Sequence, residues 1–164
     1  MNISNESNEI LKFWFPNFQY QKWWFISTTK LDQQIYDKFY NQMVELFENF
    51  NIDYYNNTNP IKLITDIILL DQFSRNIFRI NDRINIQAYT QKAELLSNIW
   101  IKSKYYLKEP IAYTVFAFLP IRHTKDKNKI ANLLPLLEKI KPNKPNKIYT
   151  KFLVHTMRAL EVDT

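Results

Sequence analysis

Glycine and cysteine are both absent from this chain of 164 residues. Phosphate-cradling loops, dinucleotide fingerprints and nucleophile elbows depend on glycine, because backbone must approach the ligand closely or turn with positive φ. None of those sites is present in its usual form. Turns fall instead to asparagine, aspartate and proline. Without cysteine there are no disulfides, no thiolate catalysis and no zinc-cysteine site. Histidine is scarce, with only His123 and His155, so a multi-histidine metal centre is not expected, and neither is a cofactor. Long apolar runs are missing as well: nothing approaches the ~18 residues that span a bilayer, and residues 1–9 lack the basic-then-apolar order of a signal peptide. The chain reads as a cytoplasmic protein without membrane insertion.

Apolar residues make up 46% of the chain and aromatic residues 16%, which argues for a packed globule rather than disorder. The length suits one domain over residues 1–164. Trp14, Trp23, Trp24 and Trp100, with tyrosines at 36, 40, 54, 55, 105 and 106, are read mainly as fillers of a core that has no glycine to bring its helices close. The net charge of +6 is uneven. Residues 1–101 carry 9 basic and 11 acidic side chains, whereas 102–151 carry 12 basic and 3 acidic. A basic half can mark a nucleic-acid partner. Lys102, Lys104 and Lys108, flanking Tyr105 and Tyr106, are the candidate contacts. The simpler account is compositional, since lysine is plentiful alongside Asn, Ile, Tyr and Phe, and nucleic acid is not the favoured partner.

Helical periodicity runs through nearly every segment. A first helix reaches Phe15 and ends at Pro16, and Gln21 to Ile26 forms an aromatic turn. Thr28 or Thr29 opens a long helix to about Phe50, striped by Leu31, Ile35, Phe39, Met43 and Leu46. Asn59-Pro60 opens the next, with the amide as cap and proline in the first turn, running to about Ser74. Further helices are expected from Asn81-Asp82 to Tyr105, from Pro110 to Pro120, and from Thr124 to Ile140 with a kink at Pro135. The last spans about Lys147 to Glu161. Seven helices and no strand predict an all-α protein, and the short links suit a tetratricopeptide-like antiparallel array.

One stretch is chosen for more than folding: Leu70-Asp71-Gln72-Phe73-Ser74-Arg75-Asn76-Ile77-Phe78-Arg79 sets an acid, two arginines and two amides among large apolar residues. It resembles the signature of the domain-of-unknown-function 924 family, close to Leu-Asp-Gln-Phe-Pro-Arg-Asn-Ile-Phe-Arg. Supporting matches are Ile10 to Phe15, Trp24-Phe25, Asp32 with Phe39, and Phe118 to His123. Together they extend over about Ile10 to Ile140. The resemblance implies a tetratricopeptide-like helical fold without an assigned activity. Ser74 stands where the family has proline. Of the family's closing histidine- and arginine-rich pattern, His155 matches the first histidine, and a site that used the remainder would be incomplete.

On a continuous helix, Asp71, Arg75 and Arg79 recur every fourth residue and share a face. Asp71 pairs with Arg75, both largely buried, while Arg79 and Asn76 offer donors to an anion, as guanidinium binds carboxylate and phosphate bidentately. His123, placed nearby by the family resemblance, supplies a proton or a further donor, and Trp24 with Phe25 walls the pocket. The plainer reading is a structural network that sets how helices cross, with His123 and His155 as ordinary boundary residues. The functional expectation is a binding or scaffold module for a peptide or small anionic ligand. The alternatives are an enzyme acting on a small anionic metabolite and a weakly nucleic-acid-associated basic protein.

Overall fold

The computed structural model describes residues 5–161. Among these residues there is no strand, and the chain is a succession of seven helical segments with short 3-10 turns between them. They are α1 (Asn5–Trp14), α2 (Thr29–Glu48), α3 (60–78), α4 (Ile86–Lys102), α5 (Ile111–His123), α6 (127–139) and α7 (Lys147–Glu161).

Side-chain caps start most of them. Thr28 Oγ1 accepts from the Leu31 amide at 3.1 Å, Asn59 Oδ1 from Lys62 at 2.8 Å, Asn85 Oδ1 from Ala88 at 3.1 Å and Asn146 Oδ1 from Tyr149 at 3.0 Å. Each cap satisfies a donor that the first helical turn leaves open. Pro60 occupies the first turn of α3, where a missing N–H costs nothing.

Several boundaries differ from the sequence reading, and each difference has a local cause. α4 does not begin at Asn81-Asp82, because Asn81 Oδ1 accepts from the Arg83 amide and closes a turn of its own. Asn85 is the cap instead. Thr124 does not open α6: its hydroxyl donates back to Ile121 O at 2.6 Å, and Asp126 caps the amides of Asn128 and Lys129. Pro135 breaks α6 at Asn132 rather than kinking it at the proline, since its ring displaces the carbonyl four residues earlier, that of Ala131. α5 does not stop at Pro120 but runs through it to His123. α5 is enclosed from Ala112 to Ile121, and that packing outweighs the ~3 kcal/mol that an interior proline costs.

Left-handed backbone occurs at Asn17, Phe18, Asn57, Lys104 and Lys125. Asparagine tolerates this conformation, but phenylalanine and lysine adopt it at a cost of ~1–2 kcal/mol each. With no glycine in the chain, the turns are held by what surrounds them.

One apolar cluster joins the helices from Ile10 to Phe152. α3 packs on α2, α4 and α5, and α5 in turn packs on α4 and α7, so α3 and α5 form the central pair. Both are buried over most of their length, and α5, enclosed on every side, does not read as amphipathic. Trp14 packs edge to face on Phe73 at 5.6 Å and on Phe116 at 5.7 Å, and Trp24 meets Phe116 at 4.9 Å. Rings at these separations combine a large buried area with favourable quadrupole contacts.

Candidate functional site

The family-like decapeptide lies on the central helix. α3 is α-helical over Pro60–Ile67, widens into one π turn over Ile68–Phe73, and returns to α over Ser74–Phe78, so it reaches four residues beyond the expected end at Ser74. Single π turns recur where a helix must re-aim side chains for function. Ser74, in place of the family's proline, donates its hydroxyl back to Leu70 O at 2.6 Å and approaches Asp71 O at 3.0 Å. It thereby satisfies carbonyls that the widened turn exposes.

The polar residues of this stretch divide between two neighbours. Asn76 and Arg79 turn toward α2, where Asp32 is almost fully enclosed. Arg79 reaches Asp32 bidentately at 2.9 and 3.0 Å, Asn76 Nδ2 donates to Oδ1 at 2.9 Å, and Ser27 donates at 2.7 Å. Burial raises the Asp32 pKa, but the bonds from Arg79, Ser27 and Asn76 outweigh it and hold the carboxyl below its usual value. Asn76 and Arg79 therefore lock α3 to α2.

Asp71 and Arg75 turn the other way, toward α5 and α4. Asp71 has no exposed surface. Its Oδ1 lies 2.9 Å from His123 Nδ1 and its Oδ2 accepts from Gln72 Nε2 at 2.9 Å. Arg75 Nε stands 3.5 Å from Oδ1, an ion pair without hydrogen-bond geometry, and that nitrogen has no bonding partner. The guanidinium is anchored instead by Thr90 Oγ1 at 2.9 Å. Of the pair expected to be buried, only Asp71 is, since 31% of the Arg75 side chain is exposed. Burial pushes the Asp71 pKa up, but His123, Arg75 and the Gln72 bond more than offset it, and the carboxyl stays below its usual value.

Arg75 and His123 border a cleft of about 500 Å³ lined also by Phe25, Arg122, Lys125, His155, Arg158 and Ala159. Among the described residues no carboxylate lines it. Because α5 continues through Pro120, its last turn delivers Arg122 and His123 to the cleft. Arg122 lies 4.6 Å over the Phe152 ring and donates to Phe152 O and Thr156 Oγ1 on α7. Burial lowers its pKa to about 10, with Asp71 opposing the shift. The His155 pKa is lowered by burial and by the nearby charges of Arg122, Arg158 and Lys151. Phe25 stacks on His155 with ring centroids 6.4 Å apart.

The contacts of Trp24 are internal: its ring is buried and Nε1 donates to Trp14 O at 2.8 Å. Lys102, Lys104 and Lys108 are exposed and line neither this cleft nor the one beside it. Tyr106 is buried, and Tyr105 donates to Thr58 O at 2.6 Å, so neither ring is presented freely beside those lysines.

Residues 10–162 match the sequence pattern of DUF924, a family described as bacterial proteins of unknown function. The chain belongs to this family. The match passes well beyond Ile140, where the resemblance read from the sequence stopped, and takes in α7 with His155 and Arg158. A solved structure of a protein of unknown function from Agrobacterium tumefaciens superposes with a TM-score of 0.73. It is 20% identical, and the alignment covers 95% of this chain and 81% of that one. At that identity the likeness concerns the fold. Among curated proteins none matches the chain.

Arg158 is the site residue that sequence reasoning missed. Its signal was present in the spacing His155-x-x-Arg158, which puts both on one face of α7, but nothing local indicates that this face meets the end of α5. Arg122 lies within the family-like stretch Phe118 to His123, and Lys125 within the basic half of the chain, but neither was singled out as a site residue.

Proposed function

We propose that the protein is a tetratricopeptide-like binding module for a small anionic ligand held between the ends of α3, α5 and α7. The observation that carries this reading is the convergence of Arg75, Arg122, Lys125 and Arg158 on one cleft with no carboxylate among the described residues that line it. Asp71, enclosed behind the cleft, offsets part of the Arg75 charge at 3.5 Å, and the cations left over on the lining suit an anion. Lys125 adds to the case, because it holds a left-handed conformation that lysine adopts only at a cost.

The test is calorimetric titration with inorganic phosphate and pyrophosphate, repeated with Lys125→Glu and Arg158→Glu. Both side chains are exposed, so the fold tolerates the changes. Saturable binding that weakens about tenfold or more in each variant supports the reading. Absence of binding up to about 10 mM anion, or equal binding by the variants, defeats it.

The Asp71–His123 contact favours a second reading, an enzyme acting on the same anion. A buried carboxylate bonded to one imidazole nitrogen fixes the ring's tautomer and leaves the other nitrogen to accept or deliver a proton. Phosphorus NMR of phosphate monoesters incubated with the protein distinguishes the two: turnover that disappears in His123→Gln marks an enzyme, and unchanged spectra mark a binder.

A further inference from the structure

A second cleft, of about 450 Å³, adjoins the first, and Arg75, His123 and Lys125 line both. Either volume already falls in the ~300–1,000 Å³ range of sites for whole small molecules, more than a bare ion fills. The chemistry of the second lobe is different. Gln87 and Gln91, exposed one turn apart near the start of α4, face it together with Glu94, Asp126 and Lys129.

Resting on the anion-binding reading above, we infer that the two lobes form one bipartite site for the phosphate monoester of a polyhydroxylated metabolite such as a sugar or polyol. The phosphate occupies the arginine-lined lobe and the hydroxylated body lies along α4. A phosphate dianion matches four converging cations better than a single carboxylate does. The body is neutral, because Glu94 and Lys129 already pair with each other at 2.8 Å and Asp126 caps the amides of Asn128 and Lys129, so these charges are matched within the protein and do not call for a second charged group on the ligand. An apolar body would strand the amides and carboxylates. A hydroxyl both donates and accepts, so it pairs with amide, carboxylate and ammonium alike. Thr90 and Thr124 line the lobe too, but their hydroxyls already donate to Ile86 O and Ile121 O, which leaves Gln87 and Gln91 as the adaptable contacts.

Calorimetry with three probes tests this: inorganic phosphate, glucose 6-phosphate and gluconate, each on the native protein and on a Gln87→Leu/Gln91→Leu double variant. The sugar phosphate is expected to bind at least about tenfold more tightly than phosphate and than gluconate, with that ratio to phosphate collapsing toward about one in the double variant. A sugar phosphate no tighter than phosphate, a gluconate as tight as the sugar phosphate, or a ratio that survives the double change overturns the inference. Phosphate binding without preference for the ester sinks the bipartite site alone, whereas no binding of any probe sinks the anion reading with it.

Discussion

Asp71 and His123 stand 52 residues apart in sequence, yet Oδ1 of one lies 2.9 Å from Nδ1 of the other. The contact joins the π turn inside α3 to the last turn of α5, across the central helix pair. It places an enclosed carboxylate directly behind a cleft whose lining, among the described residues, carries only positive and neutral groups. The same side chain thus ties the core together and orients the imidazole that borders the candidate site.

Replacing Asp71 by Asn is expected to cost about 3–5 kcal/mol at neutral pH, because it breaks a buried charged contact and leaves donors from Gln72 and His123 poorly matched. Its pKa is lowered in the fold, so the stability it supplies is present above the unfolded aspartate value of ~3.9 and is lost as pH falls through the folded value. Denaturant melts at neutral and at strongly acid pH measure this. A gap between parent and variant that does not shrink in acid contradicts the assignment. Arg75→Ala, at a half-open contact of 3.5 Å, should cost only about 1 kcal/mol.

Asp66 should behave in the opposite sense. It is buried against Tyr55 at 2.6 Å and Lys62 at 2.9 Å, but burial outweighs the Lys62 charge and raises its pKa. The folded state therefore loses stability as pH rises from the unfolded value through the folded one. Asp66→Asn is expected to be no less stable than the parent at neutral pH. A large loss there, measured in the same melts, would show the charged form to be favoured.

Asp32 and Arg79 should be unequal partners. Asp32→Ala leaves enclosed Asn76 Nδ2 only its longer bond to Ser27 Oγ at 3.3 Å and removes both Arg79 bonds, for about 2–3 kcal/mol. Arg79→Ala leaves Ser27 and Asn76 still bonded to the carboxylate, and half the Arg79 side chain is exposed, so about 1 kcal/mol or less is expected. Chemical denaturation of the two variants checks the order, and equal losses would count against it.

His155 should report occupancy of the cleft. Its pKa is lowered by burial and by the cations around it, and an anion bound among those cations opposes their field. NMR titration of the ring is expected to show an upward shift of its pKa on saturation with phosphate. An unmoved titration under saturating phosphate would place the anion elsewhere.

Lys104 adopts left-handed backbone in an exposed turn and lines neither lobe. Lys104→Gly should raise stability by about 0.5–1 kcal/mol, the steric relief exceeding the entropy that glycine loses. The matching change at Lys125 should raise stability and weaken phosphate binding together. Thermal melts and calorimetry on the two variants separate a strained turn from a strained binding residue.

Much of the fold was legible because its determinants are local. Caps at Thr28 and Asn59, the stripe Ile35-Phe39-Met43 and the prolines at 16 and 60 act within a few residues of themselves, so their consequences can be read along the chain. Boundaries failed where an outcome depended on packing: Pro120 does not end α5, because the core around that helix compensates the proline. At the site, the signature was conspicuous but its partition was not. Spacing put Asp71, Arg75 and Arg79 on one face, and only the positions of Asp32 on α2 and His123 on α5 send Arg79 one way and Asp71 the other. The cationic cleft lay still further out of reach, since Arg75, Arg122 and Arg158 belong to three separate helices. Charge repels at short range whatever its place in sequence, and it is the packing of α7 against α5 that brings those three together.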